Sequence, residues 1–175
     1  DLAWADEHVN AIMQCWYPGA QGGNAIAQVL FGDACPEGRL PVTFYRTSEE
    51  LPEFTDYSME GRTYRYMKNK PLYPFGYGLS YTTFEMKAEV LKNTGDEITL
   101  SVTVSNTGEV RGKEVVQVYV KVPQGKLGNP ARKLIGFAKT KELAPGEQEE
   151  ICIVIPKYDM ASYDDSGVTG HKSCY

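Results

Sequence analysis

The sequence predicts two unlike folds in one chain, an α/β segment followed by an all-β sandwich. Up to residue 57, short apolar runs lie beside glycine turns, which is typical of the end of a mostly parallel sheet. From residue 84 onward, apolar and polar residues alternate, as in half-buried antiparallel strands. Residues 58–83 follow neither period and are rich in tyrosine, proline and glycine. We therefore predict three parts: residues 1–57, an aromatic interdomain strap at 58–83, and a sandwich at 84–175.

The sequence of the first part, residues 1–57, predicts a helix, a strand and a second helix. Residues 1–8 resemble the tail of a helix, and the mostly apolar run 9–16 predicts a strand buried on both faces. A glycine-containing loop follows, after which Asn24 is the expected N-cap of a helix over 25–31. Gly32 is well placed to end that helix.

The loop between this strand and helix is a candidate ligand border. Its glycines run GAQGG rather than GxGxxG, and no acidic residue follows at the distance that a dinucleotide site needs. Tight turning and close helix packing explain the glycines without a ligand. Loops at the carboxyl ends of parallel strands nevertheless often line a crevice. We therefore expect Trp16, Tyr17 and Gln21 to border a substrate cleft without doing chemistry.

The sequence of residues 38–57 predicts one more strand and a loop. Residues 38–44 are apolar enough for a short strand, and Pro41 favours an edge position because it cannot donate to a ladder. Residues 46–57 combine turn formers, charge and a proline, which is typical of a surface loop.

The sequence of the sandwich segment, residues 84–175, predicts five clear strands. Turn signals such as NTGD, NTG and PGE separate runs with a period of two, which favours a sandwich of immunoglobulin or fibronectin type III kind. Such sandwiches usually have seven strands. Residues 167–175 lead toward a further strand, so we expect the sandwich to be truncated. The predicted strands cover residues 84–90, 98–104, 116–120, 134–139 and 151–155.

Composition limits the classes of partner. The net charge of −5 gives no basic footprint, so we expect no nucleic-acid partner. No apolar run is long enough for a membrane helix, and the start at Asp1 shows no signal peptide and resembles the middle of a domain. The four cysteines form no CxxC pair and there are two histidines, so we expect no metal and no cofactor. Free thiols favour a cytoplasmic location over secretion, with a Cys15–Cys35 disulfide as the alternative.

Residues able to carry catalysis are sparse. A glycosidase needs two carboxyl groups across the scissile bond. The nearest sequence pairs are Asp56 with Glu60 and Asp164 with Asp165, and both lie in polar loops where solvated carboxylates are the usual case. No GxSxG elbow is present. The basic residues near loop 125–130 are expected to form a solvated rim rather than an anion site.

Several segments resemble glycoside hydrolase family 3. Those similar to the end of the family's second, α/β domain are WYPG (16–19), GGNAIA (22–27), VLFGD (29–33) and GRLPVTF (38–44). Those similar to its connection into the C-terminal domain are GRTYRY (61–66) and PLYPFGYGLSYT (71–82). Those similar to its fibronectin type III-like domain are VTVSNTG (102–108), EVVQVYV (114–120), KLIGF (133–137) and LAPGE (143–147).

The resemblance implies a part of a retaining, exo-acting β-glycosidase, chiefly a β-glucosidase or β-xylosidase. In that family the nucleophile is an aspartate of an N-terminal barrel, and the acid/base is a glutamate upstream of the WYPG loop. Neither motif matches a position here, so the resemblance implies a chain that completes and buttresses the enzyme but is inactive alone. Its implied partners are the missing N-terminal part, a β-linked glycoside and, in a homo-oligomer, further copies. Ala20-Gln21 departs from the pair that many relatives carry there.

A second hypothesis from another class is a stand-alone carbohydrate-binding or structural module. The 12 tyrosines motivate it, because sugar-binding surfaces use aromatic faces. The competing expectation is that the five strap tyrosines, Tyr64, Tyr66, Tyr73, Tyr77 and Tyr81, pack between the domains with bonded hydroxyls. We further expect residues 9–16 to leave an apolar edge that drives association.

Overall fold

The computed structural model describes all 175 residues, with the helices early in the chain and the strands late. The α-helices are α1 (Ala3–His8), α2 (Gly22–Phe31) and α3 (Thr63–Tyr66). The strands are β1 (Phe84–Asn93), β2 (Glu97–Asn106), β3 (Val115–Val120), β4 (Lys133–Lys139) and β5 (Gln148–Pro156). Short 3-10 turns cover Ser48–Glu50 and Lys157–Met160.

The strands form the predicted all-β sandwich. One sheet has the order β1-β2-β5 and the other pairs β3 with β4, all antiparallel. The period of two is realised in β2 and β5, whose inward residues are buried while their neighbours face outward. Six fully packed apolar side chains from both sheets form the core: Val102, Val104, Val116, Leu143, Ile153 and Ile155.

Strand β1 pairs as predicted but lacks a covering layer. Met86 stands opposite Val104 and Val90 opposite Leu100, so both point to the inward face. They remain exposed, because the second sheet has only two strands and does not extend over β1. Residues 167–175 do not supply the expected further strand, since that segment forms only an isolated bridge between Asp164 and Cys174.

The helical predictions hold in part. Helix α1 lies within residues 1–8, and Gly32 ends α2 in the left-handed conformation, with φ of 81°. The expected N-cap is wrong, because α2 already begins at Gly22 and Gln21 occupies the cap position. The Asn24 amide instead donates to Gln21 Oε1 at 2.6 Å.

Both strands expected in the first part are absent. Residues 9–16 form no strand and belong to no sheet, and residues 38–44 form only one bridge, Phe44 with Tyr73. Leu40 also exchanges hydrogen bonds with the strap, donating to Tyr77 O at 2.8 Å and accepting from Gly76 N at 2.7 Å. A parallel-sheet strand takes its hydrogen bonds from neighbouring strands. No such neighbours are present, so the apolar runs stay without a ladder.

The strap is fixed to β3 by rings and by one glycine. Tyr64 stacks on Phe75 with ring centroids 4.4 Å apart and meets the edge of Tyr119 at 5.9 Å. Gly76 has φ of 81°, and its carbonyl accepts from Gln117 Nε2 at 3.0 Å. A Cβ at this position would lie 2.1 Å from Gln117 Oε1. A side chain here would strain the backbone and displace the Gln117 amide, so glycine is favoured at this contact.

A largely buried ion pair adds a second attachment. Arg39 Nη2 lies 2.5 Å from Glu114 Oε1, and their side chains are 12% and 13% exposed. Nearby, Glu37 lies 3.0 Å from Lys139 and 3.3 Å from Lys113. Partial burial opposes ionisation of Glu37, but hydrogen bonds from the two lysines outweigh it and hold its pKa below the ordinary value. The segment before the strap is thus tied to the sandwich by charge, and the strap itself by rings.

Candidate functional site

The loop that precedes α2 presents the three residues expected to border a cleft. Tyr17 is 100% exposed, and Trp16 and Gln21 are also exposed. Trp16 has φ of 51°, a conformation that a bulky residue rarely adopts. The Tyr17 side chain is free of the chain's own surface and Trp16 is half exposed, so both can meet another surface or a ligand.

Trp16 packs at one end of a row of aromatic rings. The Trp16 and Phe44 centroids are 6.4 Å apart, Phe44 meets Tyr73 edge-on at 6.1 Å, and Tyr73 stacks on Tyr77 at 5.5 Å. The Tyr73 hydroxyl donates to Asp6 Oδ1 at 2.6 Å, which raises the pKa of Tyr73 to about 12. A neutral phenol anchored on a carboxylate holds the row in place at physiological pH.

Gln21 belongs to a different surface from Trp16. It lines an open depression of about 460 Å³ along α2, together with Asn24, Gln28, Phe31 and Asp33. The structure therefore brings the three predicted residues into one loop, with Trp16 on the ring row and Gln21 on the helix depression. Stacking rings and amide groups can hold a polyhydroxylated ligand, but they supply neither nucleophile nor acid.

The carboxylates considered for catalysis differ from one another. Asp56 is exposed and accepts from Ser58 N and Oγ, which lowers its pKa. Glu60 is exposed and lies 2.5 Å from Lys68, whose hydrogen bond lowers the pKa of Glu60. Both are ordinary surface groups, each held by a neighbouring side chain.

Asp164 contradicts the expectation of a solvated carboxylate. It is 2% exposed, and its two oxygens accept six hydrogen bonds from residues 166–169. Hydrogen bonds from the Thr169 hydroxyl and backbone N–H hold the pKa of Asp164 well below its ordinary value, against the opposing effect of burial. Its role is to organise the loop that follows it, and every lone pair is engaged by the chain itself.

Several other site types find no support in the geometry. No three His, Cys, Asp or Glu side chains lie close enough to hold a metal ion. All four cysteines are unpaired, and Cys35 Sγ lies 3.1 Å from Ser80 Oγ rather than near Cys15. None of the helices is both long and apolar enough to cross a membrane.

The strap tyrosines divide between packing and exposure. Tyr64 accepts from Leu134 N at 2.9 Å and so bonds the sandwich, as expected. Tyr73 and Tyr81 instead bond the first part, through Asp6 and through Val29 O at 2.8 Å. The hydroxyls of Tyr66 and Tyr77 form no hydrogen bond within the chain. The expectation that all five pack between the two parts with bonded hydroxyls is therefore wrong for two of them.

Sequence reasoning missed a depression between α3 and the 122–132 loop. It has a volume of about 610 Å³ and brings Arg65, Tyr66 and Lys68 beside Gln124 and Asn129. Arg65 Nε is buried without a hydrogen-bond partner. About 60 residues separate the two sides, and no local pattern signals that they meet.

Comparison with known proteins identifies both parts of the chain. Residues 1–81 match the model of the glycosyl hydrolase family 3 C-terminal domain, and residues 114–169 match that of the fibronectin type III-like domain. Beta-glucosidase A of Butyrivibrio fibrisolvens is 40% identical over 95% of this chain and 24% of that protein. Xylan 1,4-beta-xylosidase of Xylanibacter ruminicola is 50% identical over 90% of this chain and 18% of that protein.

The solved structures agree. Beta-glucosidase 3B from Thermotoga neapolitana has a TM-score of 0.85 and 38% identity, over 93% of this chain and 25% of that one. The beta-glucosidase of Kluyveromyces marxianus in complex with glucose has a TM-score of 0.82 and 40% identity, over 91% of this chain and 21% of that one. The chain thus spans about a quarter or less of the relatives it matches. It belongs to glycoside hydrolase family 3, with the family's C-terminal domain segment followed by its fibronectin type III-like domain.

Proposed function

We propose that this chain is the C-terminal portion of a retaining, exo-acting β-glycosidase, most simply a β-glucosidase. It removes terminal β-D-glycosyl residues only as part of the whole enzyme, whose nucleophile and acid/base lie outside these 175 residues. The relatives support this proposal, because the named β-glucosidases match nearly all of this chain with a small share of their own length. The carboxylates present also fit a non-catalytic role, since Asp56, Glu60 and Asp164 are each bonded to neighbouring side chains.

The distribution of buried residues is the observation that carries the proposal. All seven buried hydrophobic residues lie between Val102 and Ile155. In residues 1–83, only Gly22 and Thr82 are buried, while Trp4, Leu30 and Phe31 are largely exposed. A segment without a core of its own needs another surface to cover its apolar side chains. That surface is, in our proposal, the remainder of the α/β domain and the barrel of the same enzyme.

The same observation disfavours a stand-alone carbohydrate-binding module. Such a module would display a few aromatic residues on a self-supporting core, whereas here the aromatic loop sits on a part that has no core. The proposed division at residues 57 and 83 follows from this contrast. It assigns the first part to the enzyme's α/β domain, the strap to a rigid connection and the sandwich to a buttress.

We propose further that Trp16, Tyr17 and Gln21 border the substrate cleft of the assembled enzyme. The two rings offer stacking faces for a sugar, and the Gln21 amide offers a hydrogen bond. In the assembled enzyme, Trp16→Ala should raise KM for a p-nitrophenyl glycoside by about tenfold while kcat changes less, since one stacking face contributes about 1 kcal/mol or more. Val154→Ala, at an exposed position on β5, is the matched control. Equal changes in KM for the two variants would show that Trp16 does not border the cleft.

Reconstitution tests the function. The chain is mixed or co-expressed with the polypeptide encoded upstream of it, and hydrolysis of p-nitrophenyl β-D-glucoside and β-D-xyloside is measured. We expect no hydrolysis by the chain alone and hydrolysis by the complex. The substrate that is hydrolysed faster shows which sugar the enzyme prefers. An inactive complex of verified stoichiometry would contradict the proposal. Light scattering of the chain alone should show association through its exposed first part, and a monodisperse monomer would contradict the proposed covering surface.

A further inference from the structure

The depression between α3 and the 122–132 loop has an unusual combination of polar groups. The Arg65 guanidinium forms no ion pair, and its Nε is buried without a partner. Arg65 lines the depression and its Nη groups form no hydrogen bond within the chain, so they are available to an anion. Lys68 adds a second positive charge, and its pair with Glu60 at 2.5 Å leaves the depression with one net positive charge.

The amide side chains of the loop are oriented by their own backbone. Gln124 Nε2 donates to Val122 O at 3.3 Å and to Pro130 O at 3.5 Å, and Asn129 Nδ2 donates to Pro123 O at 3.4 Å. The amide nitrogens are thereby engaged, and each amide oxygen remains free to accept. Two free acceptors beside a cationic donor suit a ligand that carries both hydroxyl groups and an anionic oxygen.

Two of the neighbouring basic residues are engaged elsewhere, whereas Lys126 is exposed and does not line the depression. Arg132 lies over the Tyr119 ring at 5.8 Å, and Lys133 donates to Asp159 O at 2.6 Å. The expectation of a solvated rim around this loop therefore needs refining, because the available cation comes from α3, about 60 residues earlier. Tyr66 adds a ring to the same lining.

We propose that this depression binds a sugar acid, a ligand of the uronate class with one carboxylate and several hydroxyls. Arg65 receives the carboxylate, the oxygens of Gln124 and Asn129 accept from hydroxyls, and Tyr66 contacts the apolar face of the ring. A simple carboxylate or phosphate would leave both amide oxygens unused, and a neutral sugar would leave Arg65 unpaired. Its lining shares no residue with the proposed cleft border, and binding to it can be measured without glycosidase activity.

Binding is tested by NMR on the full 175-residue chain labelled with ¹⁵N. Sodium D-glucuronate, D-glucose and sodium acetate are titrated at matched ionic strength. We expect glucuronate to shift the side-chain amides of Gln124 and Asn129 and the backbone amide of Gly128. Its Kd should be at least about tenfold lower than that of glucose, which lacks the carboxylate for Arg65, or of acetate, which lacks the hydroxyls for the two amide oxygens.

Variants assign the contacts. Arg65→Lys keeps the charge but removes the guanidinium fork, so glucuronate should bind about tenfold more weakly. Asn129→Asp places a negative charge on the exposed loop and should abolish binding even if Arg65→Lys fails to fold. Arg111→Gln, which removes an exposed pair with Glu142, is the control and should leave Kd unchanged. An equal response to acetate would indicate a dock for a protein carboxylate and overturn the proposal, as would an equal response to glucose or none to glucuronate.

Discussion

The two parts of this chain have similar apolar residues but use them in opposite ways. In the sandwich, β2 and β5 place theirs against β3 and β4, and a dry core results. In residues 1–83, Leu30 and Phe31 on α2 are largely exposed, because no layer faces that helix. The contrast teaches that an apolar pattern specifies which face is to be covered, while burial requires that the covering layer be present.

Deleting a core side chain is the strongest way to test this contrast. Leu143 is 0% exposed and Leu30 is 65% exposed. Leu143→Ala should lower the free energy of unfolding by about 3 kcal/mol, through lost burial and a cavity. Leu30→Ala should change it by less than about 0.5 kcal/mol, because the side chain is already in water. Urea denaturation of both variants measures the difference, and equal effects would show that the first part has a core in solution.

In the strap, the loss of unfolding free energy on truncating a ring should likewise follow how deeply that ring is buried. Phe75 is half-buried and stacks on Tyr64, so Phe75→Ala should cost about 3 kcal/mol. Tyr77 stacks on Tyr73 but is 38% exposed, so Tyr77→Ala should cost only about 1 kcal/mol. Differential scanning calorimetry of the two variants gives the order. A larger loss for Tyr77→Ala would mean that the ring row, rather than β3, holds the strap.

The ion pair between the parts should matter less than the rings but more than surface pairs. Arg39→Met leaves Glu114 largely buried, with only the Val115 N–H as donor at 2.6 Å. The loss should be about 2 kcal/mol, since both partners are nearly dry. The matched control is Arg111→Met, because Arg111 and Glu142 are 69% and 49% exposed and their pair should contribute less than about 0.5 kcal/mol. Equal chemical-denaturation midpoints for the two variants would show that the two parts are not clamped at Arg39.

The sequence predicted the sandwich better than it predicted the first part of the chain. The five strands were predictable because a period of two and NTG or PGE turns are local signals, and the partner strands lie within the chain. The strands at 9–16 and 38–44 were mispredicted because their hydrogen bonds require neighbours that are not present. Arg65 beside Asn129, and Arg39 beside Glu114, could not be foreseen, since no local pattern encodes a contact across more than 60 residues.

The loop after Asp164 tests a third arrangement, in which a segment without an apolar core is ordered by one carboxylate. The folded-state pKa of Asp164 lies below its ordinary value of 3.8, so the stabilisation is present above pH 3.8 and is lost as pH falls through the folded-state pKa. The backbone amides of Gly167 and Thr169, which donate at 2.7 and 2.9 Å, should therefore stay protected from hydrogen exchange until well below pH 3.8. Asp164→Asn should expose them at neutral pH while leaving the β2 amides unchanged. Asp165→Asn, on the neighbouring exposed residue, is the control, and loss of protection in both variants would show that charge in this loop, rather than the buried carboxylate, orders it.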